Sequence, residues 1–207
     1  MPLTIRGDLH GDGLRVTVLV ARWNAPVTDR LLAGALEVLA AAGVADDDVT
    51  VMEVPGAFEL PQAAGFVAAS GRADAIVALG CLVQGETHHD RVIADACARG
   101  LTDVALATAV PVTFGVITAL TQAQADARSN PAAPPGKGGH KGREAAEAAI
   151  RLADALRQGG LTAGSHRHPH GKAPAPARKT TRASKTSRAV ESRRAKSPSE
   201  GRRGASS

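Results

Sequence analysis

Thr87, His88, His89 and Asp90 follow an apolar run that breaks at glycines, in the order ALGCLVQGETHHD over residues 78–90. A run of that kind, interrupted at Gly80 and Gly85 and restarting in a polar cluster, predicts a strand that ends where a helix begins. A helix start presents unpaired N–H groups and a partial positive charge. The amides around Glu86 and Thr87 can therefore hold a phosphate, and His88 or His89 can move protons beside it. A metal site built from Glu86, His88, His89 and Asp90 is the competing chemistry. Adjacent histidines on a helix point about 100° apart, however, and are poorly placed to chelate one ion.

Other groups carry two readings each. Trp23 offers a broad face to stack a heterocycle, or packs as lone tryptophans do in cores and interfaces. Glu59 can accept hydrogen bonds from ligand hydroxyls, or serve as an acidic partner of a helix dipole. Arg128 ends a predicted helix, where a cation is favourable for structural reasons alone. Lys141, in GKGGHKG, is either a solvated loop charge or part of an anion cradle. The chain has no Tyr and four aromatics, Trp23, Phe58, Phe66 and Phe114. Three of them are expected in loops after strands, which favours a planar ligand for at least one.

These groups need elements to hold them. LRVTVLVA (14–21) reads as a first buried strand, followed by Asn24 as helix N-cap and Pro26 in the first turn of a helix to about Gly43. DVTVMEV (48–54) is a second strand, ended by Pro55-Gly56. A helix near 59–69 stops at Gly71, ADAIVAL (73–79) is a third strand, and a helix over about 89–99 stops at Gly100. DVALATAV (103–110) is expected as the fourth strand, followed by PVTFGVIT. Helices near 119–128 and 142–158 complete the pattern, the last with a Glu147–Arg151 pair. Alternating strands and helices predict a three-layer α/β/α sandwich on a four-stranded parallel sheet. Ligands collect beyond the carboxyl ends of strands in such folds, where Trp23-Asn24, Gly56 to Glu59, Gly80 to His89 and Phe114-Gly115 are expected.

Composition divides the chain. Residues 1–160 hold 13 Lys and Arg against 18 Asp and Glu, and residues 161–207 hold 12 against 2. We expect an N-terminal arm over 1–13, a catalytic domain over 14–158 and a disordered basic tail over 159–207, whose Ala, Ser, Thr, Pro, Gly, Lys and Arg cannot bury a core. The tail suits weak, salt-dependent contact with nucleic acid or another polyanion, or is merely solubilising. Cys81 and Cys97 have no paired spacing and read as reduced, buried thiols. Without an apolar run of about 20 residues or a signal-peptide core, the expected setting is cytoplasmic, with no membrane contact.

Three segments together, ARWN at 21–24, VPGAFELP at 54–61 and the run at 78–90, resemble lumazine synthase, the penultimate enzyme of riboflavin biosynthesis, over roughly residues 10–158. The resemblance implies a flavodoxin-like fold and a homopentamer with active sites between subunits. It implies that Trp23 stacks on the ring of 5-amino-6-(D-ribitylamino)uracil, that Ala57, Phe58 and Glu59 bind that substrate, with Glu59 on its ribityl hydroxyls, and that Cys81, Leu82 and Val83 face its ring. Phe114 is implied to come from the neighbouring subunit. Glu86, Thr87 and Arg128 would bind the phosphate of 3,4-dihydroxy-2-butanone 4-phosphate, His89 would act as general acid and base, and Lys141, which matches a lysine of the loop before the last helix, would be catalytic with it. The implied reaction uses no cofactor and no metal.

The chain departs from that pattern at Gln84, where many members carry Arg, and at Asp90, where an aromatic usually follows the histidine. Its loop from Arg128 to Lys141 is longer and richer in proline, with Pro131, Pro134 and Pro135 to stiffen it; since shells in the family resembled go with a short loop there, the resemblance implies a free pentamer, or at most a pair of pentamers, rather than a sixty-subunit shell. The competing reading of the whole chain is a catalytically degenerate α/β domain carrying a nucleic-acid-binding tail.

Overall fold

The computed structural model describes residues 2–133 and 139–161. Pro134, Pro135 and the basic tail beyond Leu161 lie outside the described residues, so the expectations placed on them stay as read from sequence. The strands are β1 (Val16–Ala21), β2 (Val49–Val54), β3 (Ala75–Val83) and β4 (Val112–Ala119). The helices are α1 (Ala25–Ala41), α2 (Leu60–Ala69), α3 (His89–Thr108), α4 (Gln122–Arg128) and α5 (Lys141–Gln158). All four strands run parallel in the order β2-β1-β3-β4. That order reverses direction between β1 and β3, which places a ligand crevice outside their carboxyl ends.

Period-two alternation explains the three layers. Val16, Val18 and Val20 of β1 and Ala75, Val77 and Leu79 of β3 pack with Leu31 of α1 and Ala146 and Ile150 of α5. The intervening Leu19, Ile76 and Ala78 pack on the opposite face with Leu60 and Ala64 of α2 and Cys97 and Leu101 of α3. A strand covered on both faces must be apolar throughout, and β1 is buried at every position. The arm before β1 is tied to α5: the Asp8 amide donates to Asp154 Oδ2 at 2.9 Å, and Arg157 Nη1 donates to the Asp12 carbonyl at 2.8 Å.

Two sequence expectations are corrected. The helix that opens at His89 does not stop at Gly100, and DVALATAV is not a strand but the last turns of α3 and its exit. Gly100 is needed for close approach rather than for termination, because a Cβ there would lie 2.7 Å from Cβ of Pro61 on α2. The helix ends only at Ala109, whose φ of 55° is left-handed, and Pro111 follows. A short run such as Val104-Ala105-Leu106-Ala107 fits helix and strand alike. The fourth strand is therefore VTFGVITA. Phe114 consequently sits within β4, opposite Ala78, and not in a loop after a strand. A smaller correction concerns Arg151, which lies 4.0 Å from Asp8 and makes no ion pair with Glu147.

Candidate active site

At the carboxyl ends of β1, β2 and β3 a cavity of about 680 Å³ opens, lined by residues of all three strand exits and the first turn of α3. That volume suits a heterocycle with a substituent chain. Trp23 and Asn24 enter from the β1 exit, Gly56 to Glu59 from the β2 exit, Cys81 to Val83 from β3, and Thr87, His89 and Asp90 from the turn into α3.

Local chemistry fixes each group. Asn24 occupies the N-cap position of α1 with φ 61°, but its side chain does not cap the helix. Its Nδ2 donates to the Cys81 carbonyl at 2.8 Å and ties the β1 exit to the end of β3. The amide of Trp23 donates to the Pro55 carbonyl at 3.2 Å, tying the same loop to the β2 exit. Gly56 has extended backbone, φ −150°, so its requirement is space: a Cβ would meet Trp23 Cδ1 at 2.9 Å and Glu59 Oε2 at 3.2 Å. An aromatic face and a carboxylate are thereby brought together over one glycine. Trp23 is 73% exposed and Phe58 61%, leaving broad apolar faces for a planar ligand.

At the other side of the cavity, α3 starts with no side chain capping its N-terminus. The His89 amide reaches Thr87 Oγ1 only at 3.4 Å, so the positive end of the helix faces the opening with its amides weakly engaged. His89 is exposed and lines the cavity, whereas His88 sits at the N-cap position and does not line it. Cys81 is buried, and burial pushes its thiol up to about 11, with Asp126 adding and Arg30 opposing. At neutral pH it is a thiol, and the group it presents beside Asn24 is its carbonyl.

The cavity thus gathers Trp23, Ala57, Phe58, Glu59, Cys81, Leu82, Val83, Thr87 and His89 from the sequence reading. Glu86, Phe114, Arg128 and Lys141 do not line it. Phe114 shares the face of Val112 and Val116 on β4 and is half exposed. Arg128 ends α4, which is held to α1 by Arg30 through Asp126 at 2.5 Å and Ser129 at 3.0 Å. Lys141 opens α5 with its ammonium 2.5 Å from Glu144. Asn24, Gly85, Asp90, Val92 and Ile93 also line the cavity. Val92 and Ile93 fall three and four residues after His89, a spacing that marks one helix face. No sequence signal announces the turn of Asn24 toward β3.

The sequence pattern of 6,7-dimethyl-8-ribityllumazine synthase matches residues 13–157. A 6,7-dimethyl-8-ribityllumazine synthase of Xanthomonas oryzae pv. oryzae is 44% identical over 150 residues, 72% of this chain and 94% of that protein. Enzymes of the same name from Desulfotalea psychrophila, 42% identical over 154 residues (74% of this chain, 96% of that protein), and Xylella fastidiosa, 43% over 150 (72% and 94%), are similarly close. The chain belongs to the 6,7-dimethyl-8-ribityllumazine synthase family.

Proposed function

We propose that this chain condenses 5-amino-6-(D-ribitylamino)uracil with 3,4-dihydroxy-2-butanone 4-phosphate to 6,7-dimethyl-8-ribityllumazine, releasing phosphate and water. The observation that carries it is the convergence of Trp23, Glu59 and His89 on one cavity at the β1/β3 switch point of a family member. Trp23 stacks on the pyrimidinedione, Ala57, Phe58 and Glu59 bind that substrate, with Glu59 accepting from ribityl hydroxyls, and Cys81 to Val83 face its ring. The phosphate lies at the N-terminus of α3 beside Glu86 and Thr87, with Arg128 as its counter-charge.

The amine attacks the ketone, water leaves to give an imine, phosphate is eliminated, and the ribitylamino nitrogen closes the second ring with loss of a second water. His89 exchanges protons in these steps, and its exposed position at the mouth suits a group that must both take and return them. Orientation of two substrates in one cavity supplies much of the rest. Phe114, Arg128 and Lys141 lie outside the cavity of the single chain, which supports a site completed by a neighbouring copy in a homopentamer. The exposed apolar side chains of Phe66 on α2, Leu106 on α3 and Phe114 on β4 are what such contacts would cover. The degenerate-domain reading is not favoured, because the cavity keeps its aromatic, carboxylate and histidine together.

The test is turnover. With both substrates the purified chain should form the fluorescent lumazine and release one phosphate per product. Failure to form it under conditions where the chain is folded would overturn the proposal.

A further inference from the structure

Among the described residues, two that are not glycine have a left-handed backbone, and one of them, Asn24, lies in the cavity wall with φ 61° and ψ 41°. Its carbonyl opens α1, accepting from the Val27 and Thr28 amides at 2.9 and 3.1 Å. A side chain at this position ordinarily caps the second or third amide of the helix. Neither is open to it here: Pro26 has no N–H, and the Val27 amide is already engaged by the Asn24 carbonyl. The carboxamide turns away from its own helix, and Nδ2 donates to the Cys81 carbonyl at 2.8 Å.

That bond adds a rung beyond the reach of the main chain. Pairing of β1 with β3 ends at Val20 and Leu79, short of Cys81. Past β1 the chain follows β2 instead, the Arg22 amide donating to the Val54 carbonyl at 2.9 Å and the Trp23 amide to that of Pro55 at 3.2 Å. The crevice of the switch point opens between these diverging paths, and the Asn24 side chain spans it. Trp23 adjoins the span, and its mostly exposed indole has little packing of its own to hold it.

We propose that Asn24 is a positioning residue, which bolts the β1 exit to β3 and so fixes Trp23 against the Cys81 to Val83 edge at the separation a pyrimidine ring needs. The inference rests on the functional reading above. A left-handed residue directly after Trp23, tied through both backbone and side chain, removes freedom from that loop before the ligand arrives, so that ordering does not have to accompany binding. The effect falls on the ring and not on the butanone phosphate, whose anion that reading places at the start of α3.

Two substitutions in the full chain separate positioning from folding. Asn24→Gly adopts the left-handed backbone without strain but has no amide. Asn24→Asp keeps the shape, tolerates the same backbone and, ionised, cannot donate. Each should raise KM for the pyrimidine about five- to tenfold, the usual effect of one lost hydrogen bond, with KM for the butanone phosphate within about twofold. In the ligand-free protein the emission anisotropy of Trp23, the single tryptophan, should fall as the indole turns more freely. Asn24→Gly should melt within a few degrees of wild type, since relief of the left-handed backbone offsets part of the lost bond. A purely structural asparagine would lower the melting temperature and raise both KM values alike, without loosening Trp23. Unchanged pyrimidine KM or unchanged Trp23 anisotropy in an active Asn24→Gly enzyme, equal rises in the two KM values, or failure of both variants to fold overturns the inference while leaving the functional reading intact. A folded wild-type chain that makes no lumazine overturns both.

Discussion

Gly56→Ala perturbs the site through a single methyl group. The backbone at Gly56 is extended, so alanine adds no conformational strain. The new Cβ would sit 2.9 Å from Trp23 Cδ1 and 3.2 Å from Glu59 Oε2, where ordinary contact begins near 3.4 Å. The tryptophan ring must withdraw by about half an ångström or more, and Glu59 by less. Trp23 is 73% exposed, so it can swing outward without opening the core. Stability should therefore move little, within about 2 °C in melting temperature. Displacement of a substrate-orienting face by up to an ångström, in contrast, costs as much as about a hundredfold in rate. Steady-state kinetics with the pyrimidine varied should show kcat/KM lowered about ten- to a hundredfold. A value within twofold of wild type would refute the reasoning that Trp23 and Glu59 form the ring's seat. A loss of more than about 10 °C in melting temperature would show that Gly56 serves the fold instead.

His89→Ala should lower kcat by about 10² or more, the usual contribution of a positioned acid and base, while His88→Ala has a smaller effect; equal losses in the two would contradict the assignment of the proton-transfer role. His140 is 3% exposed and its Nδ1 accepts from the Arg143 amide at 3.3 Å, capping α5 in its neutral form. Burial, with Arg143 adding, holds its pKa below the ordinary value, against hydrogen bonds with the backbone of His140 and Arg30 and a smaller pull from Glu37. The unfolded state thus binds the proton first, so stability is full above about pH 6.5 and falls as pH drops from there toward the folded pKa. Denaturation midpoints measured from pH 8 to pH 5 should decline in the wild type and decline less in His140→Asn; parallel curves would sink the argument. Mass photometry should find mainly five copies of the 21.1 kDa chain, and a dominant species of sixty copies would show that the proline-rich loop does not block further assembly.

The strand exits were legible because chemistry interrupts apolar runs there. Trp23-Asn24, Pro55 to Glu59 and Gly85 to His89 are polar, aromatic or glycine-bearing breaks after β-branched segments, and a parallel sheet forces such breaks to one end. The α3 to β4 boundary was not legible, since Val104 to Ala107 carries no period that separates helix from strand. Gly100 looked like a stop and is a packing glycine, a distinction that depends on Pro61 some 39 positions earlier in the chain. Misplacing β4 displaced Phe114 from strand interior to strand end. Burial of Asp90 and the bond from Asn24 to the Cys81 carbonyl are likewise tertiary facts, set by elements that meet only after folding.

Trp23 is the chain's single tryptophan, so its emission reports on the cavity alone. Titrating 5-amino-6-(D-ribitylamino)uracil or 6,7-dimethyl-8-ribityllumazine into the native protein, with correction for ligand absorbance, tests whether the ring stacks where the account places it. A saturable change in Trp23 emission is expected, with one site per chain, at concentrations that match the substrate's KM. Turnover accompanied by unaltered Trp23 emission at saturating ligand would contradict it, by showing that the chemistry takes place somewhere other than this cavity.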